Sequence, residues 1–314
     1  MRNPVLLFTI LISTNIIAQK ITPIDTTTKP EIFAPGVVST PFEEVAATFT
    51  PDGNTVFFAQ GTISMEICYS KKAPGNTWSK PRVISFSGHW GDWDPFLSPD
   101  GKKIYFVSNR PLDTTGDNKF KRQTHIWYSS HESGDKWSEP QYIKDSFNLD
   151  GVGNYAPTVS RSGNLFFFSP RRDKAGKAKS YYVQQKGDHY GDPQPLLLNG
   201  DEEVSDPLIA QDESYIIFVG SNDLYISYRQ MDNTWTKGQP LGLAASDGSS
   251  IYDPTLSPDG KTLYFTSNRI AGYYKRDPKT LPLDYDGLLK EMNGLFNGKG
   301  NIFMVPIHLP AKAS

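Results

Sequence analysis

Three aspartates recur at one place in the repeat pattern of this chain, each directly before a proline: Asp94-Pro95, Asp206-Pro207 and Asp253-Pro254. Carboxylates brought close together raise one another's pKa or demand a cation. Such a set can hold a metal or a cationic ligand, or do acid/base work of the glycosidase type. A local reading is also open, in which each Asp accepts backbone N–H bonds within its own repeat. Recurrence with the repeat favours this local reading.

The segment leading into Asp94 is Gly88-His89-Trp90-Gly91-Asp92-Trp93. Two tryptophans, a histidine and the acids Asp92 and Asp94 make a stacking platform with polar anchors, suited to sugars or peptides. Tyr155 and Tyr252 hold the place of Trp93 in other repeats, so Trp93 also reads as a core plug. Trp90 has no such counterpart. Arg110, Arg171 and Arg269 follow a hydrophobic run in three repeats. They are expected to neutralise the aspartates through forked ion pairs that hold adjacent units together, and they can alternatively grip a carboxylate-bearing ligand.

What positions these residues is a turn that occurs five times. Thr50-Pro51-Asp52-Gly53, Ser98-Pro99-Asp100-Gly101 and Ser257-Pro258-Asp259-Gly260 each precede a short apolar run such as Lys103-Ile104-Tyr105-Phe106. Ser160-Arg161-Ser162-Gly163 and Ala210-Gln211-Asp212-Glu213 are worn copies. Proline sets the first corner of a tight turn, and Asp-Gly supplies its polar and permissive positions. From Asp52 to Asp100, Ser162, Asp212 and Asp259 the steps are 48, 62, 50 and 47 residues. Repeats of this length built from short β-branched and aromatic runs predict an all-β, five-bladed β-propeller of four-stranded blades. The fifth unit lacks its outer strand, and a strand over residues 32–39 is expected to supply it and close the ring. Closure removes the exposed edges that an open ring would leave.

The Ser-Pro-Asp-Gly-Lys phrase running to Ser-Asn-Arg at Ser98 to Arg110, and again at Ser257 to Arg269, resembles the PD40, or WD40-like, repeats of TolB-type propellers. The Trp-Ser-x-Pro phrases at Trp78 and Trp137 resemble the same repeats in secreted and cell-envelope proteins of Bacteroidetes-type bacteria. This resemblance implies binding of a protein or ligand more often than catalysis. Five units without an N-terminal α/β domain set the chain apart from TolB itself.

Residues 1–18 read as a secretory signal, with Arg2, an apolar stretch from Val5 to Ile17 and the small Ala18. Residues 19–31 read as a linker, 32–309 as the propeller and 310–314 as a tail. The expected location is secreted or periplasmic, with no membrane span after cleavage. A formal net charge of −2 speaks against nucleic acid. The lone Cys68 excludes an internal disulfide and reads as a buried small hydrophobe. His89, His125, His131, His189 and His308 show no metal-ligand spacing, and no nucleotide or hydrolase elbow motif is present, so no cofactor or metal is expected. An amphipathic helix from Asp286 to Phe296, capped by Asp286 and ended by Gly298, is expected as a clip on the outer blade or a wall beside the channel.

The expected function is a monomeric ligand- or protein-binding module that works through its loop-rich face. The contacts are Trp90, Asp92, Trp93, Asp94, Arg110, Tyr155, Asp206, Tyr252, Asp253 and Arg269. The alternative is a carbohydrate-active hydrolase or lyase using Asp94, Asp206 or Asp253.

Overall fold

A computed structural model describes residues 23–25, 28–62, 64–112, 124–173, 179–198, 204–221, 223–243, 249–269, 279 and 281–309. Five antiparallel sheets form the blades of the ring, and each blade runs from an inner strand a to an outer strand d. Strands a and b are Glu43–Phe49 and Thr55–Gly61 in blade 1, Asp92–Leu97 and Lys103–Ser108 in blade 2, and Tyr155–Val159 and Leu165–Phe168 in blade 3. They are Ser205–Ile209 and Tyr215–Val219 in blade 4, and Ile251–Leu256 and Thr262–Ser267 in blade 5. The main contacts between a strands follow ring order, blade 1 to 2, 3, 4, 5 and back to 1. The leader, the tail, residues 113–123 and Tyr273 to Arg276 lie outside the described residues.

The core lies between blades. Apolar clusters join blade 1 to 2, blade 2 to 3, blade 3 to 4 and blade 4 to 5. Each b strand is covered on both sides, which is why runs such as Thr55-Val56-Phe57-Phe58 are apolar on successive residues instead of alternating. Cys68 is buried in the cluster at the seam of blades 1 and 5, where burial pushes its thiol up to about 12.

The seam closes as expected, with a shorter strand. Only Glu31–Ile32 pairs with Asn301–Pro306, with Glu31 opposite Met304 and Ile32 opposite Phe303. Residues 33–39 leave the sheet in a turn. Ser39 Oγ still donates to the Ile302 carbonyl at 3.2 Å, and Phe33 packs edge-on to Trp78 and Tyr264. Pro23 accepts from the His308 N–H at 2.6 Å, and Ile24 is buried in the cluster of blades 4 and 5.

The recurring phrases have specific jobs. In the turn of blade 2, Ser98 Oγ donates to Asp100 Oδ1 at 2.6 Å, and Asp100 accepts the Lys102 N–H at 3.0 Å. Blades 1 and 5 repeat this with Thr50–Asp52 and Ser257–Asp259. In blade 4 the turn glycine is replaced by Glu213, held at φ +60°. Its carboxylate accepts from Ser160, Ser162 and Asn164 of blade 3 and from Arg229, so the two worn turns staple each other. In the tryptophan phrases, Ser79 and Ser138 accept the N–H of Lys71 and Ser130 and tie strand c to the approach of strand d.

The helix runs over Tyr285–Met292, shorter than expected, and its cap is Asp284, which accepts the Gly287 N–H at 2.7 Å. It buries none of its own side chains. Its following turn is tied to blade 1 by Asn297, which donates to the Pro41 carbonyl at 2.9 Å. Among the described residues no helix is long and apolar enough to cross a membrane.

Candidate functional site

Every a strand carries a bulge at the same place. Its register against strand b slips between Val45 and Thr48, Trp93 and Phe96, Tyr155 and Thr158, Ser205 and Leu208, and Tyr252 and Thr255. In each, two residues oppose one and the strand kinks. The first of the two is left-handed in all five blades: Ala46 (φ +56°), Asp94 (+49°), Ala156 (+46°), Asp206 (+45°) and Asp253 (+50°). Proline follows in blades 2 to 5 and removes an N–H that a bulge leaves without a ladder partner. The five left-handed residues line one small axial cavity of about 30 Å³, room for one or two waters.

The backbone does not require a carboxylate there. A left-handed non-glycine residue costs roughly 1–2 kcal/mol, and Ala46 and Ala156 adopt that conformation without any polar side chain. Nor do the aspartates bond mainly within their own blades, as local capping would require. Asp94 Oδ2 accepts the Ala156 N–H at 2.8 Å, and Asp206 Oδ2 accepts the Asp253 N–H at 3.5 Å; both bonds reach the next blade. The Ala46 N–H, which would complete the pattern for Asp253, donates to Thr266 Oγ1 instead. Asp253 has no donor among the described residues.

The electrostatics follow from this arrangement. Burial pushes the Asp94 carboxyl up to about 6, and the Ala156 N–H partly offsets that. Burial and then the charge of Asp94 push Asp206 up to about 7. Asp253 stands well above the usual carboxylate range through burial and the charges of Asp94 and Asp206, with nothing to lower it. The cluster therefore holds at least one proton near neutral pH. Among the described residues, no group of three His, Cys, Asp or Glu side chains is spaced to hold a metal ion.

The residue before each left-handed position forms a collar above the acids. Trp93, Tyr155 and Tyr252 are all half-buried there. Trp93 and Tyr252 flank blade 1 from either side, packing on Val45, Ala46, Ala59 and Met65. Trp93 lies over Gly91, where any Cβ would meet its ring at 2.4 Å. Trp90 is half-buried and His89 exposed in the loop above.

The arginines do not reach the three aspartates. Arg110 makes its ion pair with Asp92, donating from Nη2 to both carboxylate oxygens at 2.8 and 3.0 Å, while its guanidinium lies over Phe106 and Trp127. Asp92 is fully buried and also accepts from Ser87 Oγ at 2.7 Å. The reason is the bulge: Asp92 sits before it and faces into blade 2, whereas Asp94 is turned to the axis. In blade 3 the corresponding arginine is Arg172, over Phe167 and Tyr181, and Arg171 is exposed. Arg269 lies over Phe303, and the blade 5 counterpart of Asp92 is the apolar Ile251, opposite Ser267. The asparagine of Ser-Asn-Arg holds the loop entering strand a: Asn109 accepts the Gly91 N–H and Asn268 the Ser250 N–H.

Sequence reasoning did not single out Ala46 and Ala156 as members of the acid ring. Their alignment with Asp94 on the turn repeat was the available signal. It also did not single out Phe96, which lines the floor of the cavity.

No protein-family model matches the sequence, and no curated protein does. Solved structures do resemble the fold. A GH43 endo-arabinanase from Bacillus licheniformis matches with a TM-score of 0.53 at 13% identity, over 86% of this chain and 96% of that one. A thermostable family-43 glycoside hydrolase matches with a TM-score of 0.53 at 12% identity, over 91% and 98%. A putative gluconolactonase is more remote, with a TM-score of 0.46 at 11% identity over 92% and 96%. These likenesses concern the propeller fold.

Proposed function

We propose that this chain is a glycan-active hydrolase whose reaction centre is the axial trio Asp94, Asp206 and Asp253. The observation that carries the reading is the ring of five left-handed positions: two blades fill them with alanine, so the three carboxylates are not there to satisfy the backbone. Groups whose environments drive their pKa values apart fall naturally into acid and base roles. Asp94, the lowest of the three and the one with a firm N–H donor, is the base that takes a proton from water. Asp253, with no donor and two acidic neighbours, stays protonated and delivers a proton to the leaving oxygen. Besides burial, the charge of Asp94 and then that of Asp206 hold Asp253 in that state. The small cavity admits the attacking water, and the collar of Trp93, Tyr155 and Tyr252 offers faces on which a sugar ring stacks. Glycoside hydrolases are built on the same fold, which supports the reading by analogy. The leader-like residues 1–18 favour action outside the cytoplasm.

The test is a panel of polysaccharides with a reducing-end assay on the purified full chain, beside a glycan array. New reducing ends from the wild type, lost in Asp253→Asn and Asp94→Asn with melting temperature retained, support hydrolysis. Glycan or protein capture without turnover, equal in those variants, returns the chain to a binding module.

A further inference from the structure

The acid cavity and a wider pocket on the opposite face share two lining residues, Phe96 and Thr255, at a narrow place on the axis. Two residues after the left-handed position the five blades carry Thr48, Phe96, Thr158, Leu208 and Thr255. Two of the threonines turn toward the next blade: Thr48 Oγ1 accepts the Leu97 N–H at 3.1 Å, and Thr158 Oγ1 accepts the Ile209 N–H at 3.3 Å. Phe96 is the one aromatic residue in this ring. With the smaller Thr255 it lines both the 30 Å³ acid cavity and the far pocket of about 380 Å³. It also packs against the cluster made by blades 4 and 5, although blade 2 borders only blades 1 and 3. That contact has to cross the axis.

We infer that Phe96 is an axial stopper: its ring closes the channel between the two mouths and keeps water from reaching the three aspartates from the far face. It touches no reacting atom and acts on the carboxylates through their solvation, so it is a positioning residue. The titratable groups facing the chamber from the near side are the three aspartates, with Tyr252 and Glu43 beside them. On the far side are Arg161, Asp212, Asp259 and Tyr215. No cation faces the acids from the near side among the groups that shift them. Burial is the first cause of the raised proton affinity of all three, so water admitted from below must lower it.

The experiment is an infrared titration of protonated carboxyls in the wild type and Phe96→Thr, with Asp253→Asn assigning the highest-titrating band. Threonine already fills this place in blades 1, 3 and 5, so the ring accommodates it. The expected result is a fall of about tenfold in the proton affinity of the highest-titrating carboxyl, one pH unit in its midpoint. Unchanged midpoints in folded Phe96→Thr overturn the inference. If that variant does not fold, Phe96→Leu carries the same test with an expected fall of about threefold, and no shift there overturns it equally. The readout is a titration, so a failure of the hydrolase reading leaves this result standing on its own.

Discussion

Aspartates ring both mouths of the channel, and the two rings have opposite chemistry. At the turn face, hydrogen bonds from Thr50 and Ser257 hold Asp52 and Asp259 below the usual carboxylate range, and water surrounds them. At the bulge face, Asp94, Asp206 and Asp253 are raised by burial and by one another, with few donors or none. Both sets recur with the repeat. Recurrence therefore does not separate acids held by their own hydrogen bonds from acids that lack them; the count of local donors and the access of water do. A residue kept by the repeat for its hydrogen bonds has those bonds on view, as Asp100 does with Ser98 and Lys102. Where the bonds are missing, another role has to explain the residue.

The sharpest way to break this contrast is to exchange carboxylate for amide at each mouth. Asp253→Asn is expected to lower glycan turnover by 10²–10⁴-fold, the usual contribution of a positioned acid, with an unchanged or higher melting temperature. Turnover at wild-type level sinks the contrast. The buried pair within blade 2 tests the complementary claim that an acid with a full set of partners is structural. Arg110→Ala leaves Asp92 charged and unpaired in the interior, at a cost of about 3–5 kcal/mol in a denaturant melt; an unchanged midpoint shows the pair is dispensable.

Stability against pH comes next. The folded-state pKa values of Asp94 and Asp206, about 6 and about 7, lie above their ordinary value of 3.8, so the folded chain binds more protons than the unfolded chain between those limits. Stability from these groups is complete below about pH 4 and is lost as pH rises through about 6 to 7, on the order of 2 kcal/mol after allowing for channel water. Thermal melts across that range should fall in the wild type and flatten in the triple Asn variant. The smallest effect belongs to the turn face. Asp100→Asn keeps turnover and costs about 1 kcal/mol, the scale of a lost charge-assisted cap. Loss of turnover there would mean the two rings are not separate.

The blades were legible because a turn with a fixed chemical demand marks each one: proline at a corner, a hydroxyl and a carboxylate to bond the backbone, a glycine for positive φ. The three aspartates were legible as a set because each precedes a proline at one step of that repeat. What they do with their side chains was not. A β strand alternates faces, so Asp92 and Asp94 read as neighbours on one side, and Arg110 as a partner for either. The bulge breaks the alternation, turns Asp94 to the axis and leaves Asp92 to the arginine. Nothing in the local sequence other than the proline announces it. Phe96 escaped for a related reason: beside its neighbours in blades 2 and 3 it has partners in blades 4 and 5, more than 100 residues downstream, and only the closed ring brings them across.

Ala46 and Ala156 have one more consequence. Their backbone is already bent into the shape that the acid-bearing blades use, so the ring has five interchangeable sockets of which three carry charge. New chemistry at this mouth needs one codon and no new scaffold. An asparagine or a fourth acid would meet a backbone already in the left-handed conformation at either alanine, while at Ala46 it would also have to fit among Met65, Trp93 and Tyr252. The number of charges facing the axis is thus set by side chains alone, on a backbone that all five blades share.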